Sequence, residues 1–184
     1  MDAFLTSVSL VALGEVGDKT QLLAFALACR YRVHWPILAG ILIATLANHG
    51  LSAWLGVILA DLVPENWLTL LLGTSFIALG LWMLVPDKDE DVDDGRRWGP
   101  FTASLVLFFI AEIGDKTQLA TVALAARFDQ AFVAVVAGTT LGMLMANAPV
   151  IWLGNRVRHP ALEKWVHRIS AALFVLLGVA TLAL

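Results

Sequence analysis

Charged residues are scarce in this sequence: only 15% of its 184 residues are Asp, Glu, Lys or Arg, against about 25% in an average soluble domain. The apolar share is 59% and the mean hydropathy is +0.81. This composition excludes an ordinary water-soluble fold. It also excludes a disordered chain, because disorder requires low hydrophobicity and high net charge, whereas the net charge here is only −3. The remaining class is an integral membrane protein.

Cysteine is almost absent. The single Cys29 cannot form an intrachain disulfide, and its place in an apolar run predicts a packing role. No Lys or Arg precedes the first apolar run and no A-x-A-like site follows it, so we expect no cleaved signal peptide. Neither a bound cofactor nor a nucleic-acid partner is expected.

Six apolar segments are long enough to cross a hydrocarbon core of ~30 Å, which takes about 20 helical residues. They lie at approximately 3–29, 36–60, 67–86, 100–126, 131–154 and 166–184. We therefore predict an all-α integral membrane protein with six transmembrane helices. Residues 87–99 form an acidic linker between the third and fourth segments, which we interpret as a solvated hinge; a loop that collects cations is the alternative.

Basic residues are distributed unevenly between the two sets of alternating loops. Nine lie in one set, at Arg30, Arg32, Lys88, Arg96, Arg97, Arg156, Arg158, Lys164 and Arg168. The opposite set and both termini hold only Arg127. The positive-inside rule therefore predicts that the acidic linker is cytoplasmic and that both termini lie outside.

An internal repeat divides the chain into two halves. The stretch from Glu15 to Leu22 (EVGDKTQL) recurs 97 positions later, from Glu112 to Leu119, as EIGDKTQL. Each half, residues 1–86 and 100–184, contains three predicted spans. Because three is an odd number, the second half must enter the membrane from the opposite side. We predict two inverted three-helix repeats.

Both copies of the motif fall near the membrane midplane. Glu15 and Glu112 each lie about twelve residues into a span, a depth of about 18 Å on a helix. On a continuous helix Asp18 would lie on the same face as Glu15, and Asp115 on the same face as Glu112. Gln21 and Gln118 would extend these polar faces by one turn. The glycine in each motif either permits a close helix crossing or lets the helix unwind.

Four carboxylates at this depth require neutralisation, since each ionised group costs at least about 2.5–3.5 kcal/mol at the bilayer centre. Their oxygens suit Ca²⁺, Mn²⁺ or Mg²⁺ better than a soft metal, and the same groups bind protons. With two motif lysines the site carries −4 + 2 = −2, which matches one divalent cation or two protons. The accessory candidates are Lys19, Thr20, Asn48, Lys116, Thr117 and Asn147. Asn48 and Asn147 are expected at equivalent places, whereas His49 has no expected counterpart. The alternative is that the motif acids and lysines only form intrahelical ion pairs.

The twin E-x-G-D-K-T motif, at Glu15–Thr20 and Glu112–Thr117, resembles the Golgi-type GDT family of Mn²⁺/Ca²⁺ transporters. The resemblance covers essentially the whole chain. It implies cation/proton antiport with a site at Glu15, Asp18, Glu112 and Asp115, with Gln21 and Gln118 beside them. For a bacterial-type member it also implies Mn²⁺ export across the inner (plasma) membrane. Apart from the resemblance, either a monomer or a homodimer is expected.

Three other function classes are the alternatives to a cation/proton antiporter. An enzyme is not expected, because no His or Cys lies at the depth of the motif to serve as base or nucleophile. A scaffold that transports nothing would leave the buried acids unexplained. A divalent-cation channel or uniporter would use the same acids without proton exchange.

The predicted orientation can be tested by cysteine labelling. In a Cys29→Ser background, Asp91→Cys should react only from the cytoplasm, because it lies in the acidic linker, whereas Asn66→Cys should react from outside. The measurement is labelling of intact cells with a membrane-impermeant maleimide. Labelling of Asp91→Cys in intact cells would contradict the predicted topology and indicate the opposite orientation.

Overall fold

The computed structural model describes residues 1–85, 98–153 and 160–183. Every regular element within these ranges is helical. The helices are α1 (Asp2–Gly14), α2 (Lys19–Tyr31), α3 (Trp35–Leu62), α4 (Glu65–Trp82), α5 (Pro100–Glu112), α6 (Lys116–Arg127), α7 (Phe132–Leu153) and α8 (Pro160–Ala183), with a 3₁₀ turn at Asp129–Ala131. Most of the acidic linker predicted at 87–99, and the basic loop residues at 154–159, lie outside the described ranges.

Two of these helices are long and apolar enough to cross a membrane by themselves. They are α3 and the segment Asp129–Leu153, which contains α7. Large apolar side chains also point outward along the bundle, for example Leu62, Val133 and Leu176, which are 75%, 75% and 63% exposed. An outer surface of this kind is typical of a protein whose solvent is lipid. The all-helical membrane class predicted from composition agrees with both observations.

The first and fourth predicted spans are not continuous helices, which agrees with the second interpretation of the motif glycines. The first breaks after α1 at residues 15–18, and the fourth breaks after α5 at residues 113–115. In each break the motif glycine has a positive φ, +81° at Gly17 and +77° at Gly114, which an L side chain adopts only with strain. A Cβ at Gly114 would meet nothing within 4 Å. This glycine therefore permits unwinding rather than a close helix crossing.

Matching glycines hold the two halves against each other. Gly138 of α7 packs on α1, where an added Cβ would lie 2.7 Å from the carbonyl oxygen of Phe4. Gly40 of α3 packs on α5 against the carbonyl oxygen of Phe101. Because Phe4 and Phe101 are 97 positions apart and the two glycines 98 apart, the halves use corresponding residues to pack on each other.

Helices α4 and α8 form a close pair of their own. The rings of Phe76 and Phe174 lie 6.3 Å apart at its centre. A Cβ on Gly80 would approach the carbonyl oxygen of Ala171 to 2.8 Å, and one on Gly178 would approach that of Gly73 to 2.6 Å. Small residues at a helix crossing let the two backbones come close. Close packing of this kind drives helix association in a membrane, where the hydrophobic effect does not bring helices together.

The α4–α8 contact predicts a strong effect of a single methyl group. Gly178→Ala should lower the melting temperature of the purified protein by several degrees, since the methyl group would overlap a backbone carbonyl that cannot move aside, at a cost of about 1–3 kcal/mol.

The matched control is Gly50→Ala in α3, where an added Cβ meets nothing within 4 Å. Its melting temperature should be unchanged or higher, because alanine favours the helix. Equal melting temperatures for the two variants would contradict the close packing of α4 on α8.

Candidate functional site

The two breaks bring acidic residues from both motifs together. Glu15 follows α1, Glu112 ends α5, and Asp115 precedes α6. One carboxylate oxygen from each of the three lies within 4.8 Å of the others. All three residues are buried, with exposures of 0%, 0% and 5%. We call this group the carboxylate cluster.

Each member of the carboxylate cluster keeps one buried oxygen without a hydrogen-bond partner in the described part of the chain. Glu15 accepts a hydrogen bond from the Thr20 hydroxyl (2.7 Å) through its other oxygen, and Glu112 accepts one from Thr117 (3.0 Å). Buried polar atoms are rarely left unsatisfied because each costs free energy. Three neighbouring carboxylates that each keep an oxygen of this kind can coordinate a hard divalent cation or take up protons.

Electrostatic repulsion within the cluster is large. At an effective dielectric constant of about 20, two unit charges 4.8 Å apart repel by roughly 3–4 kcal/mol. The N-termini of α2 and α6, which begin at Lys19 and Lys116, adjoin the acidic residues of the motif and present the positive ends of their dipoles. The Lys19 ammonium also lies 3.8 Å from an Asp115 carboxylate oxygen. Positive charge is thus supplied by the helix ends and by a side chain.

Asp18 lies outside the three-residue carboxylate cluster defined by the 4.8 Å distance, and its predicted place in the metal site stays a prediction. It is buried at 5% exposure and precedes α2, in the position that Asp115 occupies before α6. Neither aspartate caps its helix with a side-chain hydrogen bond.

The motif glutamines close the two unwound segments. The Gly17 amide donates to the side-chain oxygen of Gln21 (2.9 Å), and the Gly114 amide donates to that of Gln118 (2.6 Å). The Gln21 amide group also donates to the carbonyl of Ala146 in α7 (2.8 Å). These side-chain oxygens therefore accept from backbone amides freed by the breaks, a role that their predicted place on a helical face did not indicate.

The two motif lysines have different surroundings despite their equivalent sequence positions. Lys19 is 24% exposed and faces Asp115 of the other half. Lys116 is 6% exposed, donates to the Val85 carbonyl (3.3 Å) and lies 5.9 Å from the centre of the Trp82 ring. The end of α4 and the residues that follow it thus engage the lysine of the second motif.

Asn48 supports the site by a backbone contact. Its side-chain amide donates to the Phe109 carbonyl in the last turn of α5 (3.0 Å). Asn147 instead donates within its own helix, to the Met143 carbonyl (3.0 Å). Asn48 therefore ties α3 to the segment that carries Glu112, and Asn147 has no such contact in the described residues.

The predicted equivalence of Asn48 and Asn147 is wrong by one residue. The buried positions of α3 and α7 coincide at an offset of 98, as do Gly40 and Gly138. At that offset Asn48 corresponds to Ala146, and Asn147 corresponds to His49, for which no counterpart was expected. Matching identical residues produced the error, because two asparagines happen to stand 99 positions apart.

His49 is a buried polar residue to which the sequence analysis gave no role. It has an exposure of 0%, and neither ring nitrogen has a hydrogen-bond partner within the described residues. The sequence does contain a signal for the pairing of His49 with Asn147. These two residues are 98 positions apart, as are Gly40 and Gly138.

Comparisons with known proteins agree with the motifs. Residues 3–91 and 100–183 match the family described as divalent cation/proton antiporter GDT1. A Vibrio cholerae protein described as a "putative manganese exporter" is 46% identical over 98% of this chain and 90% of its own length. A GDT1-like protein of Synechocystis is 30% identical over 98% of this chain and 97% of its own length. GDT1-like protein 5 of Arabidopsis thaliana is 26% identical over 99% of this chain and 96% of its own length. No solved structure matches. The resemblance inferred from the motifs is confirmed.

The carboxylate cluster predicts opposite effects of one substitution on stability and on binding. Glu112→Gln should raise the melting temperature of the metal-free protein, because it removes one of three like charges while an amide oxygen can still accept from Thr117. It should also abolish most of the added stability that Mn²⁺ gives the unmodified protein, which is about 2.7 kcal/mol at 100 times the Kd.

The matched control is Glu65→Gln at the exposed start of α4, which should change neither quantity. Thermal unfolding of both variants with and without Mn²⁺ measures the effects. A Glu112→Gln protein that is less stable without metal, yet fully stabilised by Mn²⁺, would contradict a like-charged binding cluster.

Proposed function

The chain belongs to the GDT1 family of divalent cation/proton antiporters, and we propose that it exports Mn²⁺, in preference to Ca²⁺, from the cytoplasm in exchange for protons. Membrane transport of a divalent cation, rather than enzymatic catalysis, follows from the family itself. The main support for Mn²⁺/proton exchange is the carboxylate cluster, to which both halves of the chain contribute buried oxygens that lie close together.

The chemistry of the ligands supports Mn²⁺. The proposed site is formed by Glu15, Asp18, Glu112 and Asp115, with the side chains of Gln21 and Gln118 adjoining them. Carboxylate and amide oxygens suit hard cations such as Mn²⁺ and Ca²⁺. The description of the Vibrio cholerae relative as a manganese exporter favours Mn²⁺ between these two.

The charge of the cluster supports the proposed proton exchange. Three ionised carboxylates carry a charge of −3, which the Lys19 ammonium reduces to −2 while no metal is bound. One divalent cation in place of the ammonium brings the charge of the cluster to −3 + 2 = −1, and two protons on the carboxylates do the same. Because metal and protons bind the same oxygens, binding one releases the other, which is the chemical requirement of an antiporter.

We propose that the chain crosses the membrane six times as two inverted repeats. The first crossing is α1 with α2, the fourth is α5 with α6, and the remaining four helices cross singly. The packing of α1 on α7 has its counterpart in the packing of α5 on α3, and that of α2 on α7 in that of α6 on α3. Broken helices that meet at the midplane are the usual construction of a transport site between inverted repeats.

One departure from this correspondence supports alternating access. The α4–α8 pair packs against α1 through α8 and against α6 through α4. Among the described residues, the corresponding contacts of α4 with α5 and of α8 with α2 are not formed to a similar extent. A movement of the pair from one set of half-helices to the other would exchange the side from which the site is reached.

The proposed orientation assigns a direction to this conformation. With both termini outside the plasma membrane, α1 and α6 are the outer halves of the two broken crossings. The α4–α8 pair then closes the outer side, and the site faces the cytoplasm, from which the metal would load.

Coupling to protons can be measured in everted membrane vesicles. When the lumen has been acidified, addition of Mn²⁺ should release protons from it, and the response should be reduced at least tenfold in Glu112→Gln, because that variant lacks one shared carboxylate. A luminal pH dye and a Mn²⁺-sensitive dye report the two fluxes in the same vesicles.

The control is Glu65→Gln, a substitution at an exposed position, which should retain both fluxes. An uncoupler should stop Mn²⁺ accumulation against its own gradient. Mn²⁺ uptake that persists after the uncoupler, without proton movement, would overturn antiport and favour a channel or uniporter.

A further inference from the structure

We propose that Lys19 is an internal cation of the transport site, which pairs with Asp115 while no metal is bound and is displaced when the metal binds. This inference deepens the proposed function and rests on it. It assigns different roles to two lysines that stand at equivalent places in the repeated motif.

The contact of Lys19 links the two halves of the chain. Lys19 begins α2 in the first half, and its Nζ lies 3.8 Å from Oδ1 of Asp115 in the second half. The other oxygen of Asp115 belongs to the group of buried oxygens without a hydrogen-bond partner. Metal and ammonium would therefore compete for the same carboxylate.

Burial allows only one partner of this pair to leave. Asp115 is 5% exposed, whereas the Lys19 side chain is 24% exposed. The ammonium can swing outward on a flexible four-carbon chain and keep contact with water, while the carboxylate stays in the cluster. Displacement of Lys19 thus leaves the metal ligands where they are.

Lys116 is held in a different way. Its ammonium donates to the carbonyl of Val85, just beyond the end of α4, and lies over the ring of Trp82, the last residue of α4. These contacts direct its charge toward α4. The two lysines should therefore affect metal binding unequally, although their motifs are nearly identical.

Loss of the Lys19 charge has a definite consequence for affinity. Without this internal competitor, Mn²⁺ should bind more tightly to the cluster and leave it more slowly. A residue that only supports the fold would have the opposite effect, because a loosened site binds metal more weakly. The direction of the change separates the two roles.

The test is calorimetric titration of Mn²⁺ into the purified full chain. We expect K19Q to bind Mn²⁺ at least tenfold more tightly than the unmodified protein, K19R to reverse most of that gain, and K116Q to have less than a third of the effect of K19Q on the logarithm of affinity. Weaker or unchanged binding by K19Q, or an equal gain in K116Q, would overturn the proposal.

A second measurement does not depend on metal. In metal-free protein, K19Q and D115N should each shift the melting temperature, and the double variant should differ from the sum of the two shifts, because each single variant already breaks the pair. Additive shifts would exclude the ion pair. If the unmodified protein bound no Mn²⁺, the proposed function would fail, and this thermal cycle would still decide whether Lys19 pairs with Asp115.

Discussion

Three carboxylates of like charge, buried within 4.8 Å of one another, set the main constraint on this structure. Their mutual repulsion must be offset by the surrounding protein, and several local features serve that purpose. The breaks in two helices place helix N-termini beside the acids, hydroxyl groups of the motif threonines donate to the glutamates, and an ammonium from the opposite half approaches the aspartate. These features all lie in the repeated motif, which explains why so short a segment can form the site.

The surrounding helices hold the two motifs in register through small residues. Gly40 and Gly138 let α3 and α7 approach the half-helices α5 and α1, and Asn48 fixes α3 to the last turn of α5 by a backbone hydrogen bond. Contacts of this kind are short and directional. They define the distance between the breaks more closely than aliphatic packing alone would, because an added methyl group has no room there.

Much of this arrangement could be predicted from the sequence. Composition indicated a helical membrane protein, and the duplicated motif indicated that acids from both halves meet. The helix breaks were only one of two interpretations, since a glycine that needs positive φ and a glycine that permits close packing look alike in a sequence. The register of His49 with Asn147 was missed because residue identity is a poor guide where the helices have diverged. The difference between Lys19 and Lys116 could not be predicted at all, since it depends on where α4 ends.

The contact of Lys116 with the Trp82 ring depends on an aromatic side chain that the second half does not repeat, since Ala180 stands at the corresponding position of α8. In the proposed alternate conformation, in which the two halves exchange roles, the equivalent contact would lack the aromatic ring, so the two conformations would differ in free energy. Under the proposed antiport, such a difference would not choose the direction of net flux, which the gradients of metal and protons would determine. It would instead bias which conformation predominates at rest, and so how long the transporter waits before each step of its cycle.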